Sequence, residues 1–184
     1  MSRLKAISPE SATGKAKELL SVVSSKLGMM PNMMRTMANA PVVLDGYLQF
    51  SGALGRGVLS NKVREQIALA VAEANGCEYC LAAHSAYGKM LGLTTDQIRD
   101  SRLGSAVDPK TDILIRFARK VVDTRGHVSD DDLQEVREGG FDDGVIAEVV
   151  AGVALSIFTN YFNIVAGAEI DFPKVPSLQP VSVI

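Results

Sequence analysis

Apolar side chains recur every three or four residues along almost the whole chain, the period at which a helix gathers them on one face. Turn and cap residues divide that pattern into segments. Ser8-Pro9-Glu10 reads as a cap followed by a first-turn proline, opening a helix to about Lys26 that Gly28 to Pro31 break. Pro41 opens the next, through about Leu54, and Gly55 and Gly57 end it. Ser60 caps a helix that begins at Asn61 and stops at Asn75-Gly76, so another begins close to Cys77 and runs to Gly92. Thr94 or Thr95 caps a short helix to about Arg102. Pro109 starts one to about Thr124, with Ile113, Phe117 and Val121 on one face. Ser129 caps a further helix, whose Asp130, Asp131 and Asp132 suit a first turn by dipole complementarity. Gly139-Gly140-Phe141-Asp142 leads into a long apolar helix from about Asp143 to Gly167. The expected fold class is all-α.

Beyond Phe172 the pattern stops, because Pro173, Pro176 and Pro180 exclude a helix. Val181, Val183 and Ile184 would be unfavourable in water, so this extended tail is expected to dock on a neighbouring subunit. The methionines Met29, Met30, Met33, Met34 and Met37 read as adaptable packing in a core or interface.

The chain has 184 residues, enough for one domain with its own core, and its 47% hydrophobic content leaves apolar surface consistent with an oligomer. A formal charge of −2, no basic block and 5% aromatics without tryptophan argue against a nucleic-acid partner. Met1 to Ala6 lacks the basic and apolar regions of a signal peptide. No uninterrupted apolar run reaches the roughly 18 residues of a membrane span. A reduced, cytoplasmic setting is therefore expected, in which paired cysteines do chemistry rather than hold structure.

The only two cysteines lie in Cys77-Glu-Tyr-Cys80-Leu-Ala-Ala-His84. Three residues apart on a helix they share a face, within the roughly 4.4 to 6.8 Å Cα separation of a disulfide. His84 follows Cys80 by one turn and stands as a base beside its thiol. The helix start acts most strongly on Cys77 and the histidine on Cys80, so these effects favour different sulfurs and leave the attacking one open. Glu65, twelve residues before Cys77 on the preceding helix, is placed to orient the imidazole.

The spacing of Glu65, Cys77, Cys80 and His84 resembles the signature of the AhpD-like alkylhydroperoxidases, within the carboxymuconolactone decarboxylase superfamily. Met30-Pro31-Asn32-Met33 with Asn39-Ala40-Pro41 looks like the segment before the core in the peroxidase-related branch. The resemblance covers residues 28 to 172 of a single domain, leaving an N-terminal helix (1–27) and the tail (173–184). It implies a trimer or hexamer that reduces organic hydroperoxides, with Cys80 attacking, Cys77 resolving, and Glu65 and His84 relaying the proton. A lipoyl-bearing or thioredoxin-like dithiol would return the disulfide to thiols, with no organic cofactor or metal. One position departs from the pattern: a second family histidine is here Tyr79, whose phenol hydrogen-bonds but relays protons poorly near neutrality.

Four other readings of these residues compete. The cysteines could pack inertly. Cys77, Cys80, His84 and Glu65 could also bind zinc, although structural zinc sites usually bring a second CxxC or HxxxH. The chain could instead be a decarboxylase-like enzyme or a non-catalytic redox-sensing oligomer. The other histidine, His127, reads as a solvated loop residue. Finally, Glu148, Asn160 and Asn163 repeat the spacing of Glu65, Cys77 and Cys80, and Gly167 falls where His84 would recur. This pattern predicts an internal duplication whose second copy kept the shape and lost the chemistry, with Asn160 or Asn163 hydrogen-bonding near the site or at an interface.

Overall fold

The computed structural model describes residues 2 to 178, and among them all regular structure is helical. The helices are α1 (Gly14–Leu27), α2 (Asn32–Met37), α3 (Pro41–Leu54), α4 (Asn61–Ala74), α5 (Glu78–Met90), α6 (Thr95–Arg102), α7 (Pro109–Asp123), α8 (Asp130–Glu138) and α9 (Asp143–Ala166). The axis of the molecule is α4, which buries every residue from Gln66 to Ala72. Its alternating Ala68, Ala70 and Ala72 let neighbours approach closely, and α5, α6, α7 and α9 all pack against it. Two cores result. One joins α1, α2, α3 and α5 around Leu20, Met37, Leu44 and Leu69, and the other joins α7, α8 and α9 around Ile115, Val136, Val149 and Val153.

Most helix ends fall at the cap residues. Side chains of Ser60, Thr94, Asp108, Ser129 and Asp142 each accept a backbone N–H at the start of their helices. The first helix is a correction. It starts at Gly14, not at Pro9, because Ser8 to Ala12 close a turn through Ser8 O and Gly14 has φ +52, which a continuous right-handed helix cannot contain. The methionine run also forms α2, a six-residue helix that buries Met33, Met34 and Met37. His127 is exposed in its loop.

Two polar ties hold the frame around α4. The Glu148 carboxylate accepts the N–H groups of Val58 (2.8 Å) and Leu59 (3.1 Å), fastening α9 to the turn before α4. Gly57 makes room for it, since a Cβ there would overlap the carboxylate. At the other end Arg102, 5% exposed, pairs with Glu73 at 2.7 Å and donates to Pro176 O at 3.0 Å. The tail is therefore tied at Pro176 to its own α6. Val181, Val183 and Ile184, with their expected docking on a neighbour, lie outside the described residues. Arg102→Met should lower unfolding stability by about 2 kcal/mol, because it leaves Glu73, about three-quarters buried, without its cation and the Pro176 carbonyl without its donor. Urea denaturation checks this, and an unchanged midpoint would mean that solvent already satisfies both groups.

α9 is long and apolar enough to cross a membrane by length and composition. Its inner face nonetheless carries Ser156, Thr159, Asn160 and Asn163, all buried against the rest of the chain. It runs unbroken through Phe158 and Thr159, which occupy the repeat positions of Asn75 and Gly76, where α4 and α5 separate. Asn163 nonetheless meets Cys80, the residue 83 positions before it.

Candidate active site

Gly76, at φ +66, turns the chain out of α4 so that Cys77 becomes the cap of α5. Its sulfur accepts the Cys80 N–H at 3.3 Å, where serine or aspartate oxygen commonly serves. Cys77 and Cys80 are joined as a disulfide with a Cα separation of 5.3 Å, and both are buried. The Cys80 sulfur also receives Asn163 Nδ2 at 3.3 Å. Asn160 accepts from Asn75 Nδ2 at 2.9 Å, so both asparagines of the second repeat hydrogen-bond beside the site.

Glu65 on α4 meets His84 on α5, with Oε2 2.7 Å from Nδ1. A carboxylate on Nδ1 fixes the ring and leaves Nε2 for proton exchange. Both side chains are about three-quarters buried, with exposures of 24% for His84 and 20% for Glu65. Glu65, His84 and Cys80 line one cavity of about 500 Å³. Its walls are largely apolar, with Val23, Leu27, Met33, Met34, Leu48 and Met90 among them.

Tyr79 borders the cavity, but its hydroxyl is not hydrogen-bonded to Glu65 or His84. Its hydroxyl oxygen accepts the Met33 N–H at 3.1 Å, near Asp171, whose carboxylate takes the Asn32 N–H at 2.7 Å. The phenol thus latches α2 onto α5 instead of reaching His84, and burial pushes its pKa strongly upward. Two further tyrosines that the sequence reading missed also line the cavity, Tyr47 from α3 and Tyr87 from α5. Burial pushes Tyr47 up to about 12, with Tyr87 and the Glu65 charge adding to it, and Tyr87 rises through burial, Glu65 and Asp171. Tyr87 could have been found three residues beyond His84 on the same helix face, whereas Tyr47 has no local signal.

These shifts predict a loss of stability in alkali. The folded chain holds phenol protons that the unfolded chain releases near pH 10. Stability contributed by the protonated form is complete below about pH 10 and declines as pH rises toward the folded values. Thermal melts from pH 9 to 12 should show a steep drop that Tyr47→Phe flattens. A drop of equal slope in that variant would assign the effect to other groups.

The carboxymuconolactone decarboxylase family model matches residues 41–123, which hold Glu65, both cysteines and His84. A peroxidase-related protein of Ralstonia eutropha JMP134 with an alkylhydroperoxidase AhpD core superposes with TM-score 0.81 at 26% identity, covering 92% of each chain. Residues 41–123 thus carry the carboxymuconolactone decarboxylase family pattern, and the chain as a whole has the AhpD-like fold. A second peroxidase-related protein of this AhpD-like fold, from Silicibacter sp. TM1040, aligns with TM-score 0.78 at 23% identity over 90% of this chain and 91% of that one. The debrominase Bmp8, solved with 2,3,4-tribromopyrrole, has the same fold, with TM-score 0.78 at 16% identity over 91% of each chain. No curated protein matches the chain.

Proposed function

We propose that this AhpD-like protein is a thiol-dependent peroxidase that reduces organic hydroperoxides through a Cys77 and Cys80 dithiol/disulfide cycle. One observation carries this reading: Cys80, in a disulfide with Cys77, opens on the same apolar cavity as a histidine locked to a glutamate. His84 takes the Cys80 proton, and the thiolate attacks the terminal oxygen of the hydroperoxide. The O–O bond breaks, an alcohol leaves with the proton, and Cys80 becomes a sulfenic acid. Cys77 displaces water from it to form the disulfide, which a lipoyl or thioredoxin-like dithiol reduces. The apolar walls favour an organic peroxide over hydrogen peroxide. The Tyr47 and Tyr87 phenols, held protonated, serve as hydrogen-bond donors in the cavity. The cycle belongs to a reducing, cytoplasmic compartment.

Intact-mass spectrometry of the reduced protein after one equivalent of cumene hydroperoxide, followed by dihydrolipoamide, tests the cycle. A prompt loss of about 2 Da that the dithiol reverses supports it. An unchanged mass rules out peroxide as the oxidant. The likeness to the debrominase gives the same dithiol a second use, reductive removal of an aryl bromine with bromide release. Disulfide formation driven by tribromopyrrole but not by peroxide would select that reading.

Assembly into a trimer or hexamer fits the outer face of α9. Ala147, Ala151, Ala154, Phe158, Tyr161 and Val165 recur there at alternating steps of four and three, and Phe158, Tyr161 and Val165 are 39%, 57% and 60% exposed. A second copy presenting the same uncharged stripe would cover it. Phe158→Glu should lower the particle mass measured by light scattering to that of smaller species, whereas an unchanged mass would place the interface elsewhere.

A further inference from the structure

We infer that the disulfide is served from two sides: substrate meets Cys80 in the large cavity, while the reducing dithiol enters a separate groove and attacks Cys77. This rests on the dithiol cycle proposed above and adds a second binding site to it. Cys80 lines the 500 Å³ cavity and Cys77 does not, whereas Cys77 lines a second depression of about 210 Å³ that Cys80 does not reach. Tyr79 and Asn163 border both spaces and form the partition between them. Tyr79 is held there by the Met33 N–H, which its hydroxyl accepts at 3.1 Å.

Displacement at a disulfide sulfur needs access opposite the leaving sulfur and a leaving thiolate that is stabilised. The groove supplies the access to Cys77. Asn163 Nδ2, at 3.3 Å from the Cys80 sulfur, stabilises the departing thiolate, which His84 one turn on can reprotonate. The first dithiol sulfur bonds to Cys77, the S–S bond breaks, and its electron pair leaves on Cys80. The second dithiol sulfur then attacks the first, and Cys77 departs as a thiolate toward the Cys80 N–H that its sulfur already faces at 3.3 Å. Two electrons and two protons pass to the protein, and the donor becomes a cyclic disulfide.

The groove also defines its ligand. Ile164, Ala168 and Ile170 form its apolar wall, with exposed Glu78 at the rim. Cys77 itself is 1% exposed, so a slender aliphatic dithiol arm reaches it and a thiol set in a protein surface does not.

The test oxidises the full-length protein with diamide, so that it stands apart from any failure with peroxide. Brief treatment with 2-mercaptoethanol, an acid quench with N-ethylmaleimide and fragment-ion mapping then locate the first mixed disulfide. Mercaptoethanol on Cys77 with maleimide on Cys80 is expected. The reverse placement, an even mixture or no adduct overturns the proposal. Ile164→Glu, a change at an exposed groove residue, should slow reduction by dihydrolipoamide about tenfold by repelling the attacking thiolate, while oxidation by diamide keeps its rate. An unchanged reduction rate, or equal slowing of both half-reactions, also overturns it. If the adduct maps to Cys77 but cumene hydroperoxide leaves the reduced protein untouched, the peroxidase reading fails and the groove stands.

Discussion

Cys80→Ser should abolish hydroperoxide reduction, whereas Cys77→Ser should preserve a single oxidation and stop there. The expected loss in the first variant is at least about a thousandfold, because a serine hydroxyl cannot supply the thiolate on which the chemistry depends. In the second, Cys80 still faces the cavity with His84 and Glu65, so it reacts once and remains a sulfenic acid without its resolving partner. Trapping with dimedone after one equivalent of cumene hydroperoxide distinguishes them. An adduct on Cys80 in Cys77→Ser, and none in Cys80→Ser, is expected. An adduct on Cys77 in Cys80→Ser would exchange the two roles, and the burial of both sulfurs leaves that outcome physically open to measurement.

Glu65→Gln should slow disulfide formation by about a hundredfold, the scale of a positioned acid or base. The amide can still accept from Nδ1 across the 2.7 Å contact, so the ring keeps its place while the charge that favours the imidazolium is gone. The loss should therefore appear in the rate of the peroxide step at saturating peroxide, with little change in the half-saturating concentration. Stopped-flow oxidation of the reduced variant gives both. Were the rate unchanged and only the affinity altered, Glu65 would act as a cavity wall and not through His84. Comparison with His84→Gln sharpens the result: if the glutamate works only through the histidine, the double variant is no slower than His84→Gln alone.

Much of this architecture was legible because helix ends are local. Ser60, Thr94, Asp108, Ser129 and Asp142 each declare a start within three residues of themselves. The cysteine and histidine of the site share one helix, and the neighbouring helix delivers Glu65 over a short turn, so sequence spacing carried most of the constellation. The reading failed where the deciding contact was distant or the local cue ambiguous. Ser8-Pro9-Glu10 has the chemistry of a helix start, yet Gly14 interrupts it with a left-handed conformation. Tyr79 stands beside Cys80 where the family pattern has a second histidine, and the local sequence says only that its phenol can hydrogen-bond. The partner of its hydroxyl is the Met33 N–H, 46 residues before it in the chain. Tyr47 reaches the cavity from α3, a placement set by packing against α1 and α9 that no pattern around it records.

The disulfide closes no more than the first turn of α5, and every helix around it is held by contacts independent of that bond. Constraining so short a loop changes the unfolded chain by only about 2 kcal/mol. The same frame therefore accommodates thiols and disulfide alike, and oxidation leaves little mark on overall shape. A molecule built this way is a poor messenger, since other proteins would see nearly one surface in both states. In the cycle proposed above it acts instead as a courier, passing two electrons from one visitor to the next and returning unchanged for another round.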